Sequence, residues 1–257
     1  MSNLPRKSRP PVWSRRQAIN LTALAAAGTS LSRGAEEGPQ PKLKVLVAGG
    51  HPDDPETGCG GAICKYTAAG HTVSVVYLTR GEAGIRGVSH EEAARIRTEE
   101  ARQACAAMKA KPIFAGQMDG ATEITPKRYA DMLEILHSEN PDVVFTQWPL
   151  DTHRDHRICG NLVFDAWLAS GRRAALYYYE VATGFQTQTF SPTHRVNLDA
   201  VIEQKWKACF LHKSQGITKE RYDRDHGRME LFRGLEARCR YAEAFVRHTP
   251  GPEIMLP

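Results

Sequence analysis

The sequence is poor in several features that would classify it at sight. Its six cysteines, Cys59, Cys64, Cys105, Cys159, Cys209 and Cys239, include no Cys-x-x-Cys pair. That excludes a thiolate zinc cluster and a thioredoxin-type redox site, and cysteines scattered in this way read as small buried hydrophobes. No internal repeat is present, which removes solenoid and propeller architectures. The apolar stretch Leu21 to Gly28 is too short to span a bilayer, so no stable membrane span is expected. An excess of positive charge is also missing beyond the N-terminus. The formal net charge is +5, yet Arg6, Lys7, Arg9, Arg15, Arg16 and Arg33 all precede Glu36, the first acid, and without these six the balance is −1. No basic body remains to attract nucleic acid by net charge.

What is present is 257 residues of 41% hydrophobic composition, enough for one well-buried domain and unlike a disordered or fibrous chain. Ser14-Arg15-Arg16-Gln17-Ala18-Ile19, leading into Leu21 to Gly28, resembles a twin-arginine export signal with a basic n-region and a short apolar h-region. The plain alternative is a basic tail. Residues 1–35 are therefore read as the signal, 36–41 as a Gly, Glu and Pro-rich linker, 42–250 as the domain and 251–257 as a tail. The signal implies export of a folded protein to the periplasm or beyond.

Within the domain, apolar runs of strand length alternate with helical segments. Leu43 to Gly50 is a continuous apolar run, Ala62 to Ala69 is helical in character and ends at Gly70, and His71 to Leu78 is a Val-rich strand. Ser89 and Glu92 form a capping signature for a helix to about Met108, and Ile113 to Ala115 is a short strand. Thr125-Pro126 caps a helix to His137, Asp142 to Thr146 is a buried strand, a helix runs from about Arg157 to Ser170, and Leu176 to Tyr179 is again a strand. Val201 to Leu211 and Asp223 to Phe245 read as helices. The alternation predicts an α/β fold of Rossmann-like, doubly wound type, a mostly parallel sheet with flanking helices in a single domain.

In such a sheet the ligand site lies beyond the carboxyl ends of the strands. There the sequence gathers its ionisable residues: His51-Pro52-Asp53-Asp54-Pro55-Glu56 after the first strand, Thr79-Arg80-Gly81-Glu82 after the second, Asp119 after the third, and Asp151-Thr152-His153-Arg154-Asp155-His156 after the fourth. Each piece alone has a plain alternative, since Asp53, Asp54 or Asp155 can cap a helix and a lone histidine is usually a satisfied one. Together, an imidazole and a carboxylate from the first loop with an imidazole from the fourth make a His/Asp/His set that leaves a position open for water, the pattern of a catalytic zinc site. Spare carboxylates and imidazoles remain for proton transfer and for polarising a carbonyl. Gly58, Gly60 and Gly61 do not have the G-x-G-x-x-G spacing of a dinucleotide site, and carboxylates in the turn would repel phosphate; the glycines are expected to let a helix pack close to the sheet.

His51-Pro52-Asp53-Asp54, followed about a hundred residues later by His153-Arg154-Asp155-His156, resembles the PIG-L/LmbE family of zinc-dependent N-acetylglucosaminyl deacetylases. The likeness covers most of Lys44 to Phe245, and Thr79 to Gly84, Arg97, Glu100, Asp119-Gly120 and Ser214-Gln215 support it. Carried over position by position, the resemblance implies His51, Asp54 and His156 as ligands of one Zn2+, Asp53 as general base, His153 as the group assisting the oxyanion or the leaving amine, and Asp155 as the residue orienting a neighbouring imidazole. Arg97, Asp119 and Glu82 would bind substrate, each also having a plain reading as an ion pair or turn residue. Pro55 separates Glu56 from the two aspartates, and Glu56 is left out of the site.

The expected activity is metal-assisted hydrolysis of the acetyl amide of an N-acetylglucosamine-type sugar, small molecule or glycan. The same donors are compatible with other divalent metals, and a homo-oligomer is compatible with the sequence. Two other readings stay open: a zinc amidase acting on a non-sugar N-acyl compound, because the catalytic residues meet only the amide, and a metal- or carbohydrate-binding protein without turnover.

Overall fold

The computed structural model describes residues 41–257; the signal and all but the last residue of the linker read from the sequence lie outside the described residues. Seven strands form one sheet. They are β1 (Lys44–Gly49), β2 (Thr72–Thr79), β3 (Lys111–Gln117), β4 (Val143–Gln147), β5 (Ala175–Tyr179), β6 (His194–Asn197) and β7 (Ala242–Arg247). Their order across the sheet is β3-β2-β1-β4-β5-β7-β6. The first five strands are parallel, and β7 runs antiparallel to both β5 and β6. The sheet is thus α/β and mostly parallel, as its alternating pattern requires.

Parallel strands buried on both faces are apolar throughout, and successive side chains serve opposite layers. On β1, Val45 and Val47 join the core beneath α1 (Asp54–Ala68), α2 (His90–Ala107) and α5 (Ile202–Cys209). Leu46 and Ala48 join the core beneath α3 (Pro126–Glu139) and α4 (Arg154–Ala169). Five of the six cysteines are buried and all are free, as small core residues.

Helix α1 begins at Asp54, well before Ala62. Its glycines lower its intrinsic propensity, but they are needed for packing: a Cβ on Gly58 would collide with the Tyr179 ring of β5, and one on Gly61 with Leu198. The helix therefore lies closer to the sheet than any larger residue allows. Helix α4 likewise starts early, at Arg154, because the His153 side chain accepts from the Asp155 N–H as its cap.

The C-terminal third differs most from the sequence reading. Lys219–Tyr222 (α6), a π-helical stretch Asp223–Gly227 and Arg228–Ala237 (α7) are helical, but the chain then turns at Arg238 (φ 57°) and residues 242–247 become a strand. The Ala and Glu content of Ala242-Glu243-Ala244 suits a helix; the open edge of β5 overrides it, with Tyr179 opposite Phe245 and Tyr177 opposite Arg247. Glu243, buried in this strand, accepts from the N–H groups of Gly61 (2.7 Å) and Ala62 (2.8 Å) and faces the Lys205 ammonium at 2.8 Å. Edge strand β6 is four residues long and mostly polar, so no apolar run announced it. Residues 251–257, read as a tail, lie against the domain: Ile254 and Leu256 pack on the core, and the Tyr177 hydroxyl donates to the Ile254 carbonyl at 2.8 Å. Among the described residues no helix is long and apolar enough to cross a membrane.

Candidate active site and metal centre

The strand order reverses between β1 and β4, and a crevice opens at their carboxyl ends, where open α/β sheets place their ligands. The two ends are fastened together by a hydrogen bond from the Gly50 N–H to the Gln147 side-chain carbonyl (2.9 Å). From one side the loop after β1 delivers His51, Asp53 and Asp54. From the other, the loop after β4 delivers Asp151, His153, Asp155 and His156.

His51, Asp54 and His156 meet. His51 Nδ1 is 3.2 Å from Asp54 Oδ2, His156 Nε2 is 3.1 Å from the same oxygen, and the two ring nitrogens are 3.2 Å apart. All three residues are buried. A tetrahedral ion with bonds of about 2.0–2.1 Å spaces its ligands at about 3.3–3.4 Å, so the triangle fits one small divalent cation. The second nitrogen of each imidazole faces carboxylates: His51 Nε2 lies 3.1 Å from Asp155 Oδ2 and 3.2 Å from Asp119 Oδ1, and His156 Nδ1 lies 3.2 Å from Asp151 Oδ1. A carboxylate behind each imidazole fixes the tautomer that presents a lone pair to the triangle, as the outer partners of metal-binding histidines do.

Electrostatics agree with the donor set. Burial alone would lower the His51 pKa, but the Asp119, Asp155 and Asp54 carboxylates raise it well above the ordinary value; His156, against the same burial, is raised to about 9 by Asp54 and Asp151. Asp54 is held well below the carboxylate range, the two imidazoles outweighing its burial. The cluster thus stabilises positive charge, which protons supply in the absence of a cation and a metal ion displaces. Two further groups, His51 with His153 and His156, and His51 with Asp119 and Asp155, also bring ligand atoms within 4.8 Å of one another. His51 is common to all of them.

Around the triangle the other residues divide in function. Asp53 caps α1 with φ at 115° and keeps its side chain 21% exposed, where the carboxyl receives an Arg97 N–H at 3.3 Å. Burial raises the Asp53 pKa and Arg97 only partly offsets it, as suits a proton acceptor working near neutral pH. His153 is exposed at the rim, stacked on the His156 ring at 4.6 Å. Burial and the two neighbouring imidazoles lower its pKa. Asp155 accepts from the Gly120 N–H (2.8 Å) and the Thr122 hydroxyl (2.6 Å), and the imidazole it reaches is that of His51.

A cavity of 290 Å³ opens beside Asp53 and Asp54, at the small end of ligand-binding sizes. Its far wall comes from the loop bearing Phe185 and Gln186 and from Arg221, Asp225 and His226 of the α6 and π-helical segment. Phe185 is 72% exposed, and His226 Nδ1 is buried without a hydrogen-bond partner. Arg97, Asp119 and Glu82, expected to touch substrate, are not among the residues lining this cavity. Arg97 is buried and donates to the Pro52 carbonyl at 2.6 Å as well as to Asp53, lying so close to Gly81 and Gly84 that a Cβ at either would strike its guanidinium. Glu82 accepts from the Asp119 N–H, and Asp119 from the Ala83 N–H, which locks two strand-end loops together.

Asp151 was named in the sequence reading without a role, and of the far cavity wall only Gln215 was named. The role of Asp151 was discoverable: the residue stands at the end of β4 two residues before His153, and a ligand histidine needs a partner for its second nitrogen. The wall carried no sequence signal, because its residues come together only when the C-terminal segments fold over α1.

Comparison with known proteins points the same way. The family model described as PIG-L, GlcNAc-PI de-N-acetylase, matches residues 46–167. Diacetylchitobiose deacetylase of Thermococcus kodakarensis is 31% identical over 226 residues, covering 81% of this chain and 84% of the relative. A probable N-acetyl-alpha-D-glucosaminyl L-malate deacetylase 2 of Bacillus anthracis is 27% identical over 187 residues, covering 68% and 82%. Among solved structures, the N,N'-diacetylchitobiose deacetylase of Pyrococcus horikoshii superposes with a TM-score of 0.71 at 25% identity, covering 93% of this chain and 94% of that one. The His51/Asp54/His156 triangle lies within the residues that the family model matches, and the chain belongs to the PIG-L family of deacetylases, as an amidohydrolase.

Proposed function

We propose that the protein removes the acetyl group from an N-acetylated amino sugar of the N-acetylglucosamine type, using water activated at a zinc ion held by His51, Asp54 and His156. The observation that carries this reading is the triangle of donor atoms at 3.1–3.2 Å with a partly buried carboxylate of raised pKa, Asp53, next to it on a cavity. When bound, zinc lowers the pKa of a water to about 7 and polarises a carbonyl. Asp53 takes the proton as the water oxygen attacks the amide carbon. The C–N bond breaks, the nitrogen leaves as the amine after receiving a proton from Asp53 or His153, and the acyl carbon leaves as acetate. His153, at the rim, is set to donate a hydrogen bond to the charge developing on the carbonyl oxygen. Arg97 positions Asp53, Asp155 orients His51 and Asp151 orients His156.

The cavity wall favours a sugar over an extended acyl chain. It offers Gln186, Gln215, Thr183 and Asp225 to hydroxyls and Phe185 as an apolar face, the mixture suited to a polar ring. The reading is tested by measuring acetate released from N-acetylglucosamine, N,N'-diacetylchitobiose and a simple N-acetylalkylamine, with the metal removed and restored. Release from the sugars that follows zinc supports it. Release only from the alkylamine transfers the site to a non-sugar amidase.

Export is part of the proposal. Arg15-Arg16 stands directly ahead of the apolar Leu21 to Gly28 stretch, and a reporter behind residues 1–40 should leave the cytoplasm by the twin-arginine route. Replacing Arg15-Arg16 with Lys-Lys should hold it inside; undiminished export after that change would overturn the assignment.

A further inference from the structure

Asp53 occupies a backbone conformation that its own chemistry does not favour. At φ 115° and ψ −28° it is a non-glycine residue in the positive-φ half of the map, and such residues persist only where their surroundings over-determine them. Arg97 restrains the side chain. A different group restrains the backbone: the Asp53 N–H donates to Glu56 Oε2 at 3.2 Å.

Glu56 is the acid the sequence reading set aside, and it is fully buried. Buried carboxylates need partners, and this one has them on its second oxygen. The Tyr77 hydroxyl of β2 donates to Glu56 Oε1, and His212 Nε2 stands 3.2 Å from that oxygen; both partners are themselves fully buried. The His212 turn is in turn tied to α2, where the Ser214 hydroxyl and N–H both donate to Glu100, at 2.6 and 2.8 Å. None of these side chains touches the metal triangle through its polar atoms. Glu56 and Ser214, to which the sequence reading gave no role, thus end in one network with Tyr77, His212 and Glu100 beside the residue read as the base.

We infer that Glu56, anchored by Tyr77 and His212, is a positioning residue that holds the Asp53 turn so that its carboxylate faces the cavity. The inference rests on the reading of Asp53 as general base. Its mechanical content is that one carboxylate oxygen grips the Asp53 N–H while the other is pinned to β2 and to the 212–215 turn, coupling base placement to three separate elements. A shift of about 1 Å in such a group can cost about a hundredfold in rate.

The test uses the zinc-loaded full chain with N,N'-diacetylchitobiose. Glu56→Gln should lower kcat by about ten- to a hundredfold, with KM within a few-fold of wild type and metal content unchanged, a split that general destabilisation does not produce. Tyr77→Phe, which removes one anchor and no charge, should lower kcat in the same direction by less, and it carries the test if Glu56→Gln does not fold. In an Asp53→Asn background Glu56→Gln should cost little more, because no base remains to be placed. Full kcat in either folded single variant, loss of metal in Glu56→Gln, or the same factor lost in both backgrounds overturns the inference. Undiminished kcat in Asp53→Asn alone would instead remove the base assignment on which it stands.

Discussion

Adjacent aspartates with opposite electrostatics are the centre of the site at the scale of single residues. Asp54 is held ionised by two imidazoles, while burial raises the carboxyl of Asp53, and a ligand and a base need those two environments. Asp53→Asn keeps volume and removes a proton acceptor, so kcat should fall by about 10²- to 10⁴-fold with metal retained. Asp54→Asn exchanges an anionic ligand for a weak neutral one and should lose the metal. Metal analysis beside kcat decides between them, and the opposite pattern would mean that the two roles are exchanged. Asp151→Asn should weaken metal binding or activity by about 10- to 100-fold, as loss of a partner behind a ligand histidine does; zinc titration of the variant measures it. His51, Asp53, Asp54, His153, Asp155 and His156 were all legible in the sequence because both motifs sit at strand ends. Asp119 and Glu82 lie at the strand ends where the sequence puts them, but Asp119 reaches His51 Nε2 and Glu82 accepts from the Asp119 N–H, partners that spacing does not encode.

Elements explain which parts of the fold could be read. The strands β1, β2, β4 and β5 are apolar because both faces are covered, and their alternation with helices needed no tertiary knowledge. Residues 242–247 misled because Ala and Glu favour a helix locally, while the open edge of β5 and the Lys205 ammonium decide otherwise. Helix α1 was marked only from Ala62 because glycines lower helical character, yet the close packing expected of those glycines is found, Gly58 lying against the Tyr179 ring. Gly58→Ala should therefore destabilise by about 1–3 kcal/mol through overpacking, although alanine is the better helix former; thermal unfolding measures it, and a stabilised variant would contradict the close approach. On the cavity wall, Phe185→Ala should raise KM for a sugar substrate and leave kcat largely unchanged, because an exposed apolar ring has no proton to move and contributes binding alone.

At the scale of the described fold, a buried ionic cluster joins α5, α7, β7 and α1 behind the cavity, whose lining residue Tyr222 donates to Glu230 at 2.6 Å. Lys205 of α5, fully buried, faces Glu230 of α7 at 2.6 Å and Glu243 of β7 at 2.8 Å, and Glu243 reaches α1. Removing one member leaves buried charge unpaired, so Lys205→Met should cost about 3–5 kcal/mol in denaturant unfolding. Acid adds a second dependence. His226 is held neutral by burial and by Lys205, its pKa lowered from 6.5 to about 4. Between those values the unfolded chain binds the proton and the folded one does not. Its stabilising contribution is present above pH 6.5 and is lost as the pH falls toward 4, with a slope of at most about 1.4 kcal/mol per pH unit. His226→Gln should flatten that part of the stability curve relative to wild type, and identical slopes would contradict the assignment.

Strand β7 has a further consequence in the order of synthesis. Every ligand of the triangle lies before residue 157, but the strand that fills the gap between β5 and β6, and the glutamate that meets Lys205, belong to residues 242–247. A growing chain that has already made its catalytic loops still has an open sheet edge and a lysine without one of its two counter-charges. Domains tend to fold as units, so the sheet and the Lys205 cluster close only after residues 242–247 have been made, well after the catalytic loops.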